Sequence, residues 1–292
     1  MQASILTDLL LPLSIGIIMF GLGLSLTLDD FRRVARYPLA VGSGLALQVV
    51  LLPLGALAIA IALRLSPDHA VGLMLLAAAP GGATANIYSH LARGDVALNI
   101  TLTAVNSLLC LVTLPIVLDL SLGFFLGTEQ YVPPPHRKVI EVGAIILIPV
   151  ALGMLVRARA ERFALWAEKP IKLFAILVLA ALIAIAIYME RKALLPSLVA
   201  VGSACLAFNL LSMFSGYLAP LALRLPRSQA VAISMEIGIH NAALAIYIAL
   251  NVLKNPAAAV VPGIYSLVMY VTATLFVLFL LRRQRSAAVA RG

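Results

Sequence analysis

Nine apolar stretches, each long enough to cross a hydrocarbon layer, follow one another along this chain with little between them. Their approximate limits are 6–27, 38–63, 69–92, 96–121, 139–157, 170–188, 196–223, 229–253 and 257–281. About 20 apolar residues in a helix span the ~30 Å core of a bilayer. With 63% hydrophobic and 11% charged residues, 292 residues do not make a soluble domain. The runs are also too long and too evenly apolar for barrel strands. The expected fold is an all-α polytopic membrane protein of about nine transmembrane helices.

The net charge of +9 does not point to nucleic acid, because cytoplasmic loops of membrane proteins collect Lys and Arg. With the N-terminus outside, fifteen basic residues fall on the inner side and six on the outer. That asymmetry predicts a multi-pass protein of the cell inner (plasma) membrane, N-terminus outside and C-terminus cytoplasmic. No basic residue precedes the first apolar run, so no cleaved signal peptide is expected. Cys110 and Cys205 lie inside apolar segments and read as buried thiols.

The segmentation divides the chain. Residues 1–122 form a first repeat of four spans, with a helix broken near 80–86. Residues 123–138, stiffened by Pro133-Pro134-Pro135, form an extracellular connector. A second repeat of five spans, 139–281, has its break near 236–241, and 282–292 is a cytoplasmic tail. In the third span, Ala79-Pro-Gly-Gly-Ala-Thr-Ala-Asn86 cannot remain helical, since proline lacks a donor and two glycines follow. Non-helical backbone at that depth must face protein or a wet cavity. Interrupted helices at matching places in two halves, run in opposite directions, mark a transporter's binding site.

Glu236 is the acid placed near the bilayer centre, where an unpartnered charge costs about 2.5–3.5 kcal/mol on insertion scales. On a continuous helix His240, four residues on, would share its face. Asn86 and Thr103 can converge on Glu236 if the broken helices cross, and Gln48 is an isolated buried amide able to join them. Carboxylate, amide and hydroxyl oxygens with freed carbonyls suit a hard cation such as Na⁺. Thr101 and Ser107 read as helix–helix hydrogen-bonding groups, and Arg93 and Asp95 as loop caps. Half-helix N-termini after Gly82 and near His240 or Asn241 would favour an anionic substrate. His240 stays open between a hydrogen-bonded neutral role, a cation, a proton site and an ion ligand.

Phe20-Gly-Leu-Gly-Leu-Ser-Leu-Thr27 with Asp30-Phe31, Ala79 to Asn86, Leu91-Ala-Arg-Gly-Asp-Val-Ala-Leu98 and Glu236-Ile-Gly-Ile-His-Asn241 together resemble the bile acid:sodium symporter family. The resemblance runs through nearly the whole chain. It implies an inverted repeat, a core domain with two crossed, broken helices and a separate panel domain, here in a nine-span form lacking the first of ten. A first sodium site would fall on Asn86, Asn99, Thr103 and Glu236, with Ala85 giving at most a backbone oxygen. A second would use Gln48, Glu236, His240 and the backbone of Ile237 and Ile239. Serine is frequent in the family at the positions of Ala85 and Asn99, and glutamine at that of His240. One Na⁺, two, or a proton therefore remain open. Substrate contacts would lie near Ala83, Thr84 and Asn241, and the family's polar pair in the last span stands here as Tyr270 and Val271.

These observations predict a sodium-coupled symporter importing a small organic anion, bile-acid-like or another carboxylate, by alternating access. Its partners are that anion, sodium ions and the lipid bilayer, with Na⁺ as coupling ion and no other cofactor. A proton-coupled carrier using Glu236 and His240 is the alternative; a non-transporting sensor is less favoured. An intramembrane enzyme finds little support: there is no HExxH motif, mid-membrane aspartate pair or Ser–Lys dyad.

Overall fold

The computed structural model describes residues 11–82, 84–127 and 136–289, and among them every regular element is helical. Twelve helices follow in order: α1 Leu11–Ser25, α2 Leu28–Arg32, α3 Pro38–Ala46, α4 Leu52–Ala62, α5 Pro67–Ala78, α6 Ala85–Leu91, α7 Val96–Leu126, α8 His136–Arg159, α9 Glu161–Ala222, α10 Arg227–Gly238, α11 Ala242–Tyr247 and α12 Pro256–Val289. A π-turn, Leu47–Leu51, joins α3 to α4, and another, Ile248–Val252, extends α11. Residues 128–135, with the triple proline, lie outside the described residues.

Four stretches are long and apolar enough to cross a bilayer: Pro38–Ala62, Val96–Leu126, Val201–Ala222 and Pro256–Arg282. Pro12–Ser25 and Leu28–Ala35, bent by 68° at their junction, make a fifth. At the bend Asp30 accepts the Thr27 backbone N–H and hydroxyl, both at 2.7 Å, and an Arg33 guanidinium N–H at 2.9 Å. These contacts close the first turn of α2. The third and eighth expected spans are each split into short helices, which is why neither passes as one long rod.

The expected connections on either side of the sixth span are not where the sequence puts them. Connections were expected at 158–169 and at 189–195, yet α9 starts at Glu161 and stays helical through Glu190, Arg191, Lys192 and Pro196. Glu, Arg, Lys, Ala and Leu are good helix formers, so local charge did not stop the helix. A proline removes one intrahelical hydrogen bond, a loss the long flanking helix absorbs.

Surface and interior are partitioned as a membrane requires. On α7, Leu108, Val112, Ile116, Leu120 and Phe124 recur every four residues and are all exposed. In water such a stripe would be a large apolar patch; hydrocarbon receives it at no cost. The polar residues of α7 lie inside instead: Asn99, Thr103 and Asn106 are buried. α1 packs chiefly on α8 and α9, whereas α5, α6, α7, α10 and α12 gather around the two breaks.

Candidate functional site

α5 ends at Ala78, and Ala79 is extended (φ −70°, ψ 143°), the conformation favoured before proline. α10 ends at Gly238, followed by Ile239 at φ −114°, ψ 91°. The two gaps meet. Gly82 N–H donates to the Ile239 carbonyl at 2.7 Å and Asn241 N–H to the Pro80 carbonyl at 2.8 Å, an antiparallel bridge centred on Gly81 and His240. Backbone groups that no helix can satisfy thus satisfy one another.

Glu236 stands in the last turn of α10, 0% exposed, against this bridge. Its Oε2 accepts the Thr103 hydroxyl at 2.6 Å and its Oε1 the Asn106 side-chain amide at 3.4 Å. A Cβ on Gly81 would overlap the carboxylate, so glycine there is what lets backbone and acid approach. Thr103 and Asn106 share a face of α7 with Asn99, at spacings of four and three.

Three buried amides around this point are oriented alike. Gln48 Nε2 donates to the Ala77 and Ala79 carbonyls, both at 3.1 Å, capping the end of α5. Asn99 Nδ2 donates to the Ala232 carbonyl at 2.7 Å. Asn106 Nδ2 serves Glu236. In each case the amide oxygen is buried and without a partner, as is Asn86 Oδ1 at the start of α6. Fixed nitrogens with free oxygens leave acceptors in want of positive charge. Neutral and anionic oxygens of this kind suit a hard, small cation.

His240 is placed elsewhere. Because α10 stops at Gly238, the histidine does not continue Glu236's helical face. Its Nδ1 lies 3.1 Å from the Tyr265 hydroxyl and its ring packs against Phe208. Tyr265 donates to the Gly238 carbonyl at 2.9 Å, and Asn209 Nδ2 donates to the same carbonyl and to the phenol oxygen. The Gly238 carbonyl, an acceptor only, sets the amide's orientation, which turns Asn209 Oδ1 to the Thr272 hydroxyl at 2.5 Å. Nδ1 pairs with the Tyr265 hydroxyl in the direction that the imidazole tautomer sets, and Nε2 is buried without a partner.

Of the sodium ligands implied above, the structure brings Thr103 onto Glu236 and leaves Asn86, Asn99 and Gln48 with unpartnered oxygens. The Ile239 carbonyl is engaged by the bridge, and the Ile237 and Ile239 side chains are buried. Ala85 is buried and its N–H donates to Gly82. Among the substrate positions, Ala83 lies outside the described residues. Thr84 precedes α6 with its hydroxyl 3.3 Å from the Tyr270 hydroxyl, and Asn241 caps α11 through Oδ1, which accepts the Leu244 N–H at 3.1 Å. Val271 is exposed. Asp95 is a cap, accepting the Leu98 N–H at 3.0 Å. Thr101 and Ser107 bond carbonyls of their own helix, not a neighbouring one, a correction that follows from the i−4 carbonyl's proximity. Sequence reasoning missed Asn106 as a neighbour of Glu236, and missed Asn209, Tyr265 and Thr272. The first was readable from the 99/103/106 spacing; the others gave no signal.

Residues 12–197 match the Sodium Bile acid symporter family. The chain is 29% identical over 253 residues to an uncharacterized sodium-dependent transporter, YocS, of Bacillus subtilis, covering 86% of this chain and 77% of that protein. It is 28% identical over 246 residues to a probable sodium/metabolite cotransporter, BASS1, of Oryza sativa, covering 84% and 59%. A sodium-dependent organic anion transporter of Bos taurus is 31% identical over 148 residues, 50% of this chain and 39% of that protein. Matched through more than half its length, and helical with several bilayer-length apolar segments, this chain is a multi-pass membrane transporter, not an enzyme, and belongs to the Sodium Bile acid symporter family.

Proposed function

We propose that this chain is a sodium-coupled symporter that imports a small organic anion by alternating access. The observation that carries the reading is Glu236, fully buried at the crossing of two broken helices and hydrogen-bonded by Thr103 and Asn106, while buried amide oxygens of Gln48, Asn86, Asn99 and Asn106 are left without partners. Na⁺ is the coupling ion. Its first site is formed by Asn86, Asn99, Thr103 and Glu236, and a second draws on Gln48, Glu236, His240 and the carbonyls of Ile237 and Ile239. The anion binds near Ala83, Thr84 and Asn241, where two half-helices begin. Two relatives, one named a probable sodium/metabolite cotransporter and the other a sodium-dependent organic anion transporter, support this substrate class. Substrates carrying a carboxylate, bile-acid-like or smaller, fit it.

The wider arrangement follows the same reading. The chain lies in the inner membrane with its N-terminus outside, as two inverted repeats. The equal lengths of α5 and α10, 12 residues each and both ending at a break, support the repeat. Sodium bound at the crossing stabilises the backbone that the anion contacts, and this linkage is the coupling.

A ligand that binds only the folded state raises apparent stability. Purified protein in detergent is expected to melt at higher temperature in NaCl than in KCl, and Glu236→Gln to lose that difference. Melting that responds to pH alone would replace sodium by a proton at Glu236 and His240. The absence of a hydrogen bond between those two residues favours sodium. Uptake of every candidate acid independent of both Na⁺ and pH would end both readings.

A further inference from the structure

The arginines of three segments meet at one end of the molecule, the cytoplasmic end in the topology proposed above. α2 turns 68° away from α1, so with α1 crossing the bilayer it runs close to the membrane plane. It packs on α7, and the Asp95 N–H just before α7 donates to the Ser228 carbonyl at 2.9 Å. Val34, Tyr37, Leu98 and Leu225, drawn from all three segments, pack in one apolar cluster. Residues 28–37, 91–98 and 223–231 are thereby held together as one surface.

Charge on this surface does not balance. The three segments carry six arginines and three acids. Each acid is engaged: Asp29 pairs with Arg32 at 3.1 Å, Asp30 with Arg33 at 2.9 Å, and Asp95 caps α7. Arg36, Arg93, Arg224 and Arg227 are exposed and form no ion pair among the described residues. Arg93 and Arg224 close helices with their backbone, which leaves their guanidinium groups unspent. Arginines scattered over an inner face would orient the chain and need no ligand. These are gathered instead, and each has an exposed leucine close to it in the chain: Leu39 near Arg36, Leu91 near Arg93 and Leu223 beside Arg224. A free phosphate answers only the guanidinium groups, which bind phosphate oxygens in pairs. A molecule with an anionic head and hydrocarbon chains answers both, and basic residues on an interfacial helix with apolar neighbours are suited to it.

We propose that this surface holds an anionic phospholipid, its phosphate among Arg36, Arg93 and Arg224 and its chains against Leu39, Leu91 and Leu223. The assignment needs only that the chain is a membrane protein, and stands apart from sodium coupling.

The test is lipid titration of the full chain in neutral detergent, with bound lipid counted by native mass spectrometry and melting temperature followed in parallel. Phosphatidylglycerol is expected to bind at least about tenfold more tightly than phosphatidylcholine and to raise the melting temperature. The triple variant Arg36→Gln, Arg93→Gln, Arg224→Gln should weaken phosphatidylglycerol roughly tenfold or more and leave phosphatidylcholine unchanged. The double variant Arg64→Gln, Lys254→Gln, altered at the other end of the molecule, should match wild type. Equal affinity of wild type for the two lipids overturns the proposal, as does an equal loss in the two variants. Glycerol phosphate displacing phosphatidylglycerol at equal concentration assigns the arginines to a soluble anion and overturns the lipid. If the triple variant does not fold, Arg93→Gln with Arg224→Gln replaces it, and an affinity for phosphatidylglycerol equal to that of wild type is then the overturning result.

Discussion

The Thr103 hydroxyl lies 2.6 Å from Glu236 Oε2 and 3.1 Å from the Asn99 carbonyl, so the carboxylate is the nearer acceptor of its one proton. Its lone pairs remain for a cation. Thr103→Val keeps the shape and removes both contributions. Hydrogen bonds to charged groups are worth about 1.5–3 kcal/mol, so the sodium concentration that half-saturates stabilisation is expected to rise about tenfold or more. An unchanged midpoint in a NaCl melting series would detach Thr103 from the site. Glu236 was legible in the sequence because a lone acid is a property of a single segment, and Thr103 because it could converge on that acid if the broken helices crossed. Tyr265 and Asn209 were not. Each sits in an apolar run where it reads as packing, and only the tertiary meeting of α9, α10 and α12 shows that both serve the Gly238 carbonyl.

At the level of elements, Pro80-Gly81-Gly82 announced the first break, and the lone Gly238 announced the second less firmly. What the chain alone did not display is their pairing, since an antiparallel bridge joins residues far apart in sequence. Nor did it display the continuity of α9, where three charged residues read as a loop but are also good helix formers. The two glycines of the first break differ in what they tolerate. A Cβ at Gly81 would collide with the Glu236 carboxylate, while one at Gly82 meets the His240 carbonyl at 3.1 Å, tight but open to a small adjustment. Gly81→Ala should therefore abolish the sodium-dependent rise in melting temperature, with Gly82→Ala retaining most of it. Equal losses in both variants would mean that the loop, not the carboxylate, sets the requirement.

Across the whole molecule, the four non-glycine residues with positive φ among the described residues are all basic: Arg64, Arg93, Arg224 and Lys254, at φ 50–60°. Each closes a helix in the left-handed conformation that ends many helices, and each sets a cation at the negative end of the helix dipole. Contacts sort the flanking loops into two sets. Asn255 Nδ2 donates to Asp68 Oδ1 at 2.7 Å, near Arg64 and Lys254, and Asp95 N–H donates to the Ser228 carbonyl at 2.9 Å, near Arg93 and Arg224. With the N-terminus outside, cysteines placed at 64 and 254 should react with an impermeant maleimide on intact cells, and those at 93 and 224 only after permeabilisation. Native Cys110 and Cys205 are buried and give a low background. Labelling of the opposite pair would invert the topology.

The paired breaks also bear on how such a molecule can move. Two backbone hydrogen bonds of 2.7 and 2.8 Å act as a rivet, fastening four helix stubs at one point. A rivet passes load without bending. Moving one of α5, α6, α10 and α11 without the others would break these bonds, which favours displacement of the four together with Glu236 and a sliding surface outside that block.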